Sequence, residues 1–473
     1  MSKSKIKYTS IFIFLILLGS ILRIYNVNFD DLWYDEMVSF WISNPEITFA
    51  ETLKRIFSSN LMVSYEIILK IFHFILSYDV HISRYLSSLI SIFSLILFYY
   101  LLKKNSSKQT AMLGLALLVI NIYHIKYSFE LRSYILTFLL AIILINFIFE
   151  NKTIKQSFLK IDYFFISLIS LLLLFSHAFS VIIIFSILLF LFIVGIKSER
   201  ERIQSRNLAL VLTASLIFFL VIYLNNINHY PDWIEQVKPS FYSNYYFSKF
   251  FGSRILGIIF FVTFISLLFY FRKEFLINFN IYTFLLILFL NSYFMPLIFG
   301  YFFKPILVDR YILFILIPII ALLSHFIILI KNKFVKIFLI VFLLVIQFFN
   351  LFDEYTFKQF YTNIYPSKPE VRKIIQDISS SDVKVYSFEM SQDNLINYNL
   401  IRSNYLKKYV DKLKYDLVFF DYINNNTLPK RFWFIYFKDI TDKKFLKPNM
   451  LNNYTINDSK FYNLIEIHLF ELN

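Results

Sequence analysis

What most constrains this chain is a series of about eleven apolar runs, each close to the ~20 residues that a helix needs to cross a bilayer. They cover residues 8–27, 84–102, 108–124, 132–149, 161–179, 180–196, 207–225, 251–271, 277–298, 307–329 and 334–352. Of the 473 residues, 58% are hydrophobic and 60 are phenylalanine, more apolar surface than a soluble core of this length would bury. The pattern predicts a mainly α, polytopic transmembrane helical bundle. The stretch Leu61 to Ser77 is apolar but interrupted by Glu66, Lys70 and His73. It reads as an amphipathic helix lying in the interface, because counting it as a span would invert every later loop.

Charge placement orients the bundle. Alternating sides from a cytoplasmic N-terminus puts five basic clusters on one side: Lys103, Lys104 and Lys108; Lys152, Lys155 and Lys160; Lys197, Arg200, Arg202 and Arg206; Arg272 and Lys273; Lys331, Lys333 and Lys336. Cytoplasmic loops carry such an excess of Lys and Arg, so the net charge of +15 needs no nucleic acid to explain it. The Lys-rich start before the first run resembles a signal peptide, but no small-residue cleavage site follows, and we read it as a retained span. There is no cysteine, which excludes disulfides, thiolate metal sites and Cys nucleophiles. With six glycines in all, neither a Walker nor a Rossmann phosphate loop can be written.

From about residue 353 the apolar runs shorten and Asp, Asn, Lys and Tyr rise. The expected organisation is a membrane domain at 1–352 and a small extracytoplasmic α/β domain at 353–473. Strands are expected at Lys384 to Phe388, Arg431 to Phe437 and Leu464 to Leu472, and a helix at Pro369 to Ile378.

Three clusters of chemistry-bearing residues map to the extracytoplasmic side. The first is Asp30, Asp31, Asp35 and Glu36, within Leu32-Trp33-Tyr34-Asp35-Glu36 just beyond the first span. The second is the turn from Tyr123 to Tyr134, with His124, Lys126, Glu130 and Arg132. The third is Lys304-Pro305 with Asp309-Arg310-Tyr311 at the mouth of a late span. Carboxylates beside a membrane are costly without a partner or a task. A carboxylate can remove a proton from an acceptor hydroxyl, while Arg and Lys stabilise a leaving phosphate, so the set suits group transfer from a lipid phosphate. Solvated caps and structural ion pairs are the plainer reading of the same charges. His177 and His124, with Glu130, would admit a divalent ion without requiring one. Trp33 and Tyr34 are candidates either for stacking on substrate or for interfacial anchoring.

Leu-Trp-Tyr-Asp-Glu after a first span, Arg84-Tyr-Leu-Ser-Ser-Leu opening the second, Tyr127-Ser-Phe-Glu-Leu-Arg-Ser-Tyr134, His177 in Phe-Ser-His-Ala-Phe-Ser, and Asp309-Arg-Tyr together resemble bacterial members of the protein O-mannosyltransferase family. These belong to the C-type glycosyltransferase superfamily, with the aminoarabinose transferases of lipid A. The resemblance implies a polyprenyl-phosphate-linked sugar as donor, a glycan, lipid or protein as acceptor, inversion at the anomeric carbon, and a site on the outer face of a bacterial cytoplasmic membrane. It implies Asp35 as the base or acceptor-binding group, supported by Glu36, and gives Arg84 the place of a required arginine. We expect Arg84, Arg132 and Arg310 at the donor phosphate, Lys304 and Lys126 in reserve, and Glu130 as an orienting group. The chain departs from these relatives at Asn60 to Glu66, where their prolines are missing. That departure leaves an inactive partner subunit as an alternative; a transporter of lipid-linked sugar is another, though the charges crowd one surface and no internal repeat appears.

Overall fold

The computed structural model describes residues 3–59, 61–155, 158–196, 199–226, 234–277, 280–353, 368–378, 383–387, 401–402, 404–406, 408, 417–419, 430–438 and 451–473. Residues 1–25, 53–68 and 85–360 form one compact unit, and 26–52, 69–84 and 361–473 form a second.

The helices in chain order are α1 Lys3–Ile24, α2 Tyr34–Ile42, α3 Phe49–Ser58, α4 Val63–Ile75, α5 Val80–Asn105, α6 Lys108–Val119, α7 Ile122–Ser128 and α8 Tyr134–Ile148. They continue with α9 Lys160–Leu174, α10 Ser180–Gly195, α11 Glu199–Asn226, α12 Phe247–Phe250, α13 Arg254–Tyr270, α14 Arg272–Ile277, α15 Ile281–Phe302, α16 Leu316–Leu329, α17 Lys333–Phe349 and α18 Val371–Ile378. Polar residues between the apolar runs mark where helices begin. Ser107, Asn121, Ser253, Asn280 and Asn332 each accept a hydrogen bond from a backbone N–H two or three residues ahead, occupying donors that the helix itself leaves open.

Every expected span holds helix, but five helical segments among the described residues are long and apolar enough to cross a membrane alone, and α6 with α7 makes a sixth when taken as one bent span. The count of eleven and the cytoplasmic N-terminus therefore stay expectations. α11 and α17 bury only 22% and 17% of their apolar windows, leaving surface suited to lipid.

Three readings need correction. The run 108–124 is broken: α6 and α7 meet at 61°, because Asn121 takes the His124 N–H and starts a new helix. The expected turn at Tyr123 to Tyr134 is therefore helical through Ser128. His177 lies in the turn between α9 and α10, since α9 stops at Leu174.

In the second unit, β3 (Lys384–Ser387), β4 (Leu417–Phe419), β5 (Arg431–Phe437), β6 (Tyr454–Tyr462) and β7 (Ile465–Leu472) form a five-stranded mixed sheet; β1 (Phe149–Glu150) and β2 (Thr153–Ile154) pair separately in the first unit. The sheet order is β4-β3-β5-β7-β6, parallel across β4, β3 and β5 and antiparallel from β5 outward. β5 is buried on both faces, which is why its sequence is a continuous aromatic run rather than an alternation. Phe432, Phe434, Tyr436, Leu451, Tyr454 and Phe470 pack as a core there. α18 buries Val371, Ile374, Ile375 and Ile378, the helical spacing expected. β4 and β6 escaped the sequence reading: β4 is three residues long, and β6 is an edge strand with the polar run Asn-Asp-Ser-Lys. Phe388 lies outside the described residues.

Candidate functional site

The acidic motif opens α2 in the second unit. Trp33 has extended backbone geometry before the first turn, and its N–H donates to Glu36 Oε2 at 3.3 Å. Glu36, three residues on, is thereby turned inward and fully buried. Arg84 meets it in a fork, Nε to Oε1 at 3.0 Å and Nη2 to Oε2 at 2.9 Å, and Lys368 Nζ reaches Oε2 at 2.7 Å. Burial alone pushes the Glu36 carboxyl up, but Arg84 and Lys368 outweigh it and hold the group at about 2, below its ordinary 4.5.

Arg84 is itself buried and also donates to the carbonyls of Asp30 and Asp31. Arg372 binds the Asp31 carboxylate through its backbone N–H, at 2.9 Å, and through its side chain, and it donates to the carbonyl of Asn28 at 2.7 Å. Tyr405 OH accepts the Leu32 N–H at 3.1 Å. Arg402 stacks on Phe437 at 4.2 Å and lies 5.5 Å from the Tyr34 ring. Asp35 is half-buried beside this network. Two adjacent carboxylates thus have different environments: Glu36 is committed to two cations, and Asp35 is accessible.

Of the phosphate-binding candidates of the first unit, Arg132 lines a cavity of about 430 Å³ and Arg310 lies against Tyr311 of its wall. Its few polar side chains include Arg132, Ser133, Tyr134, His177 and Tyr311, and the rest of the lining is mostly apolar, with Met62, Val63, Phe175, Phe179, Met295, Pro296 and Phe299. Both features suit a ligand with one polar end. Tyr311 follows Arg310 in a 3-10 turn, Asp309–Ile315, and the Arg310 guanidinium lies 5.6 Å from the Tyr311 ring. Tyr134, Phe179 and Tyr311 surround the His177 ring at centroid distances of 5.6, 5.7 and 5.0 Å. Asp309 lies beside the hydroxyls of Tyr123 and Tyr127, and acts on Tyr246, which burial and this carboxylate push up to about 12.

The remaining candidates sit apart from the cavity lining. Glu130 is buried in the 129–133 turn, and Lys126 is exposed against the Tyr127 ring at 5.6 Å. Lys304 is half-buried next to Pro305, which lines a smaller cavity of about 150 Å³. Arg84, expected at the donor phosphate, pairs with Glu36 in the second unit.

The residues expected for a divalent ion do not fit one. His124 is fully buried, with Nδ1 taking a hydrogen bond from Arg23 at 2.9 Å and Nε2 against Ser94 Oγ at 3.1 Å. His177 Nδ1 accepts the Phe179 N–H at 3.2 Å. Among the described residues no group of three His, Asp or Glu is placed to hold a metal.

Sequence reasoning missed Lys368, Arg372, Arg402 and Tyr405. Their sole local signal was Lys-Pro before a helix; the partners of Lys368, Arg372 and Tyr405 in the first loop lie more than 300 residues away in the chain. No protein-family model matches the chain, and no curated protein matches it by sequence. Among solved structures it matches ArnT from Cupriavidus metallidurans in the apo state, with a TM-score of 0.60 and 9% identity over 99% of this chain and 98% of that one. Two structures from Archaeoglobus fulgidus match with a TM-score of 0.49 each, too low to carry an argument. The oligosaccharyltransferase tethered with an acceptor peptide is 10% identical, over 85% of this chain and 63% of that one. The oligosaccharyltransferase AglB with an inhibitory peptide and a dolichol-phosphate is 9% identical, over 93% and 70%. At such identity the ArnT match shows the fold alone: the chain folds as ArnT does over nearly its whole length.

Proposed function

We propose that this protein is an integral-membrane, inverting glycosyltransferase that moves a sugar from a polyprenyl-phosphate carrier to an acceptor on the extracytoplasmic face of a bacterial cytoplasmic membrane. The observation that carries the reading is the cavity, mostly apolar and bordered by Arg132 with Arg310 close by, in a chain that shares its fold with ArnT over nearly its whole length. An isoprenoid phosphate has this combination of a long apolar tail and a compact anion. Arg132 and Arg310 take the charge that develops on the phosphate as the bond from the anomeric carbon to the phosphate oxygen breaks. Asp35 takes the acceptor hydroxyl proton as the new bond to that carbon forms, so the anomeric centre inverts in one displacement. Glu36 and Arg84 act as positioning residues, since their buried pairing leaves Asp35 as the accessible carboxylate of the motif.

The test is transfer of radiolabelled sugar from a panel of polyprenyl-phosphate sugars in proteoliposomes. Asp35→Asn is expected to lower turnover by at least ~10²-fold with the fold intact, and Arg132→Ala to weaken use of the donor. Full activity of a folded Asp35→Asn protein would remove the base assignment. Carrier binding without transfer from any donor would remove the enzyme reading.

A further inference from the structure

His177 stands at the wall of the same cavity, in a turn that fixes its ring chemically. The Phe179 backbone N–H can only donate, so Nδ1 must be the accepting nitrogen, and the ring carries its proton on Nε2. The Ser180 hydroxyl binds the His177 carbonyl at 2.6 Å, pinning the turn, while Tyr134, Phe179 and Tyr311 restrict the ring plane. Among the described residues Nε2 has no hydrogen-bond partner, and it is not a closed-off atom, because the buried polar atoms lacking partners do not include it. The Arg132 and Arg310 cations both act on this ring, so a further positive charge there would be opposed. What remains is one neutral N–H donor of fixed direction in a mostly apolar pocket.

We propose that His177 is a binding residue for the carrier phosphate, donating its Nε2–H to a phosphate oxygen as a neutral imidazole. This rests on the reading of the cavity as the carrier site. The role differs from that of the arginines. Two guanidinium groups supply charge, whereas a neutral donor of fixed orientation selects the phosphate's position without adding a cation that would hold the product after the sugar has left.

The experiment is equilibrium binding of undecaprenyl phosphate to the full chain in nanodiscs, for wild type, His177→Gln, His177→Asn and His177→Phe. A Gln amide nitrogen can take the place of Nε2–H, whereas an Asn amide reaches only the Nδ1 position. We expect Gln to bind within about threefold of wild type, and Asn and Phe to bind roughly 10- to 100-fold more weakly, the range for a hydrogen bond to a charged group. The ratio of wild-type to Gln affinity should not change between about pH 5 and 8, the range in which a free imidazole would titrate, which cancels titration of the phosphate itself. The charged and titratable groups that face the ring are Arg132, Arg310, Tyr134 and Tyr311. Equal binding by Phe, rescue by Asn rather than Gln, or a wild-type advantage that grows as pH falls would each overturn the proposal while leaving the carrier site standing. Failure of wild type to bind undecaprenyl phosphate would overturn the carrier reading and this proposal with it.

Discussion

Glu36 accepts hydrogen bonds from Arg84 and Lys368 while fully buried, and that combination has a measurable pH signature. Its folded value of about 2 lies below the ordinary 4.5, so the pairing contributes stability that is complete above 4.5 and is lost as pH falls through about 2. Glu36→Gln leaves two cations facing a neutral amide in a dry site, which should cost about 3–5 kcal/mol. Melts of wild type and Glu36→Gln should differ most near pH 7 and converge as the pH drops from 4.5 toward 2. A gap of constant size would mean that the carboxylate charge does not matter. At this scale the sequence singled out four acidic residues, but it could not say which of them is buried. Asp35 and Glu36 share one local environment in sequence, and they are separated only by the helical turn that sends one side chain inward.

Among the elements, the junction of α1, α6 and α7 shows how a buried cation is held without a carboxylate. Arg23, in the last turn of α1, is fully buried and uses all its donors: Nε to Ser91 Oγ at 2.8 Å, Nη1 to the carbonyls of Gly19 and Val119, and Nη2 to the Leu118 carbonyl and His124 Nδ1. Leu118 and Val119 end α6, where unpaired carbonyls and the helix dipole favour a positive charge. Arg23→Leu should therefore destabilise by at least about 3 kcal/mol through the acceptors it leaves buried, and Arg23→Lys should recover only part, since a single ammonium cannot span these acceptors. Unfolding in mixed micelles would check this; an Arg23→Leu protein as stable as wild type would contradict it. Helix positions were legible because the apolar runs are long. The α6–α7 break was not, since a single Asn inside an apolar run is an ordinary signal until its side chain is seen to take the His124 N–H. β5, β7 and α18 were legible from clustered β-formers and helical spacing, whereas the polar edge strand β6 left no apolar pattern to find.

For the whole molecule, residues 26–52 and 361–473 belong to one compact unit, so the first loop and the C-terminal region stand or fall together. Lys368 binds Glu36, Arg372 binds Asp31 and the Asn28 carbonyl, and Tyr405 accepts from Leu32. Deleting 354–473 removes all of these at once. We expect the truncated protein to be cleaved rapidly by protease between residues 26 and 52 and to lose transfer although Asp35 is still present. A protease-resistant first loop in the truncated protein would show that the loop orders itself. The sequence by itself determined where the long apolar helices lie, that the chain belongs in a membrane, and which acidic and basic motifs occur along it, because apolar runs and short motifs are local properties. Only the tertiary structure decided that Glu36 is spent on Arg84 and Lys368, that Arg132 and His177 line a common cavity, and that His124 is a packed partner of Arg23. Those outcomes depend on pairings across as many as 332 residues, where no periodicity links the partners and burial alone decides which charges meet.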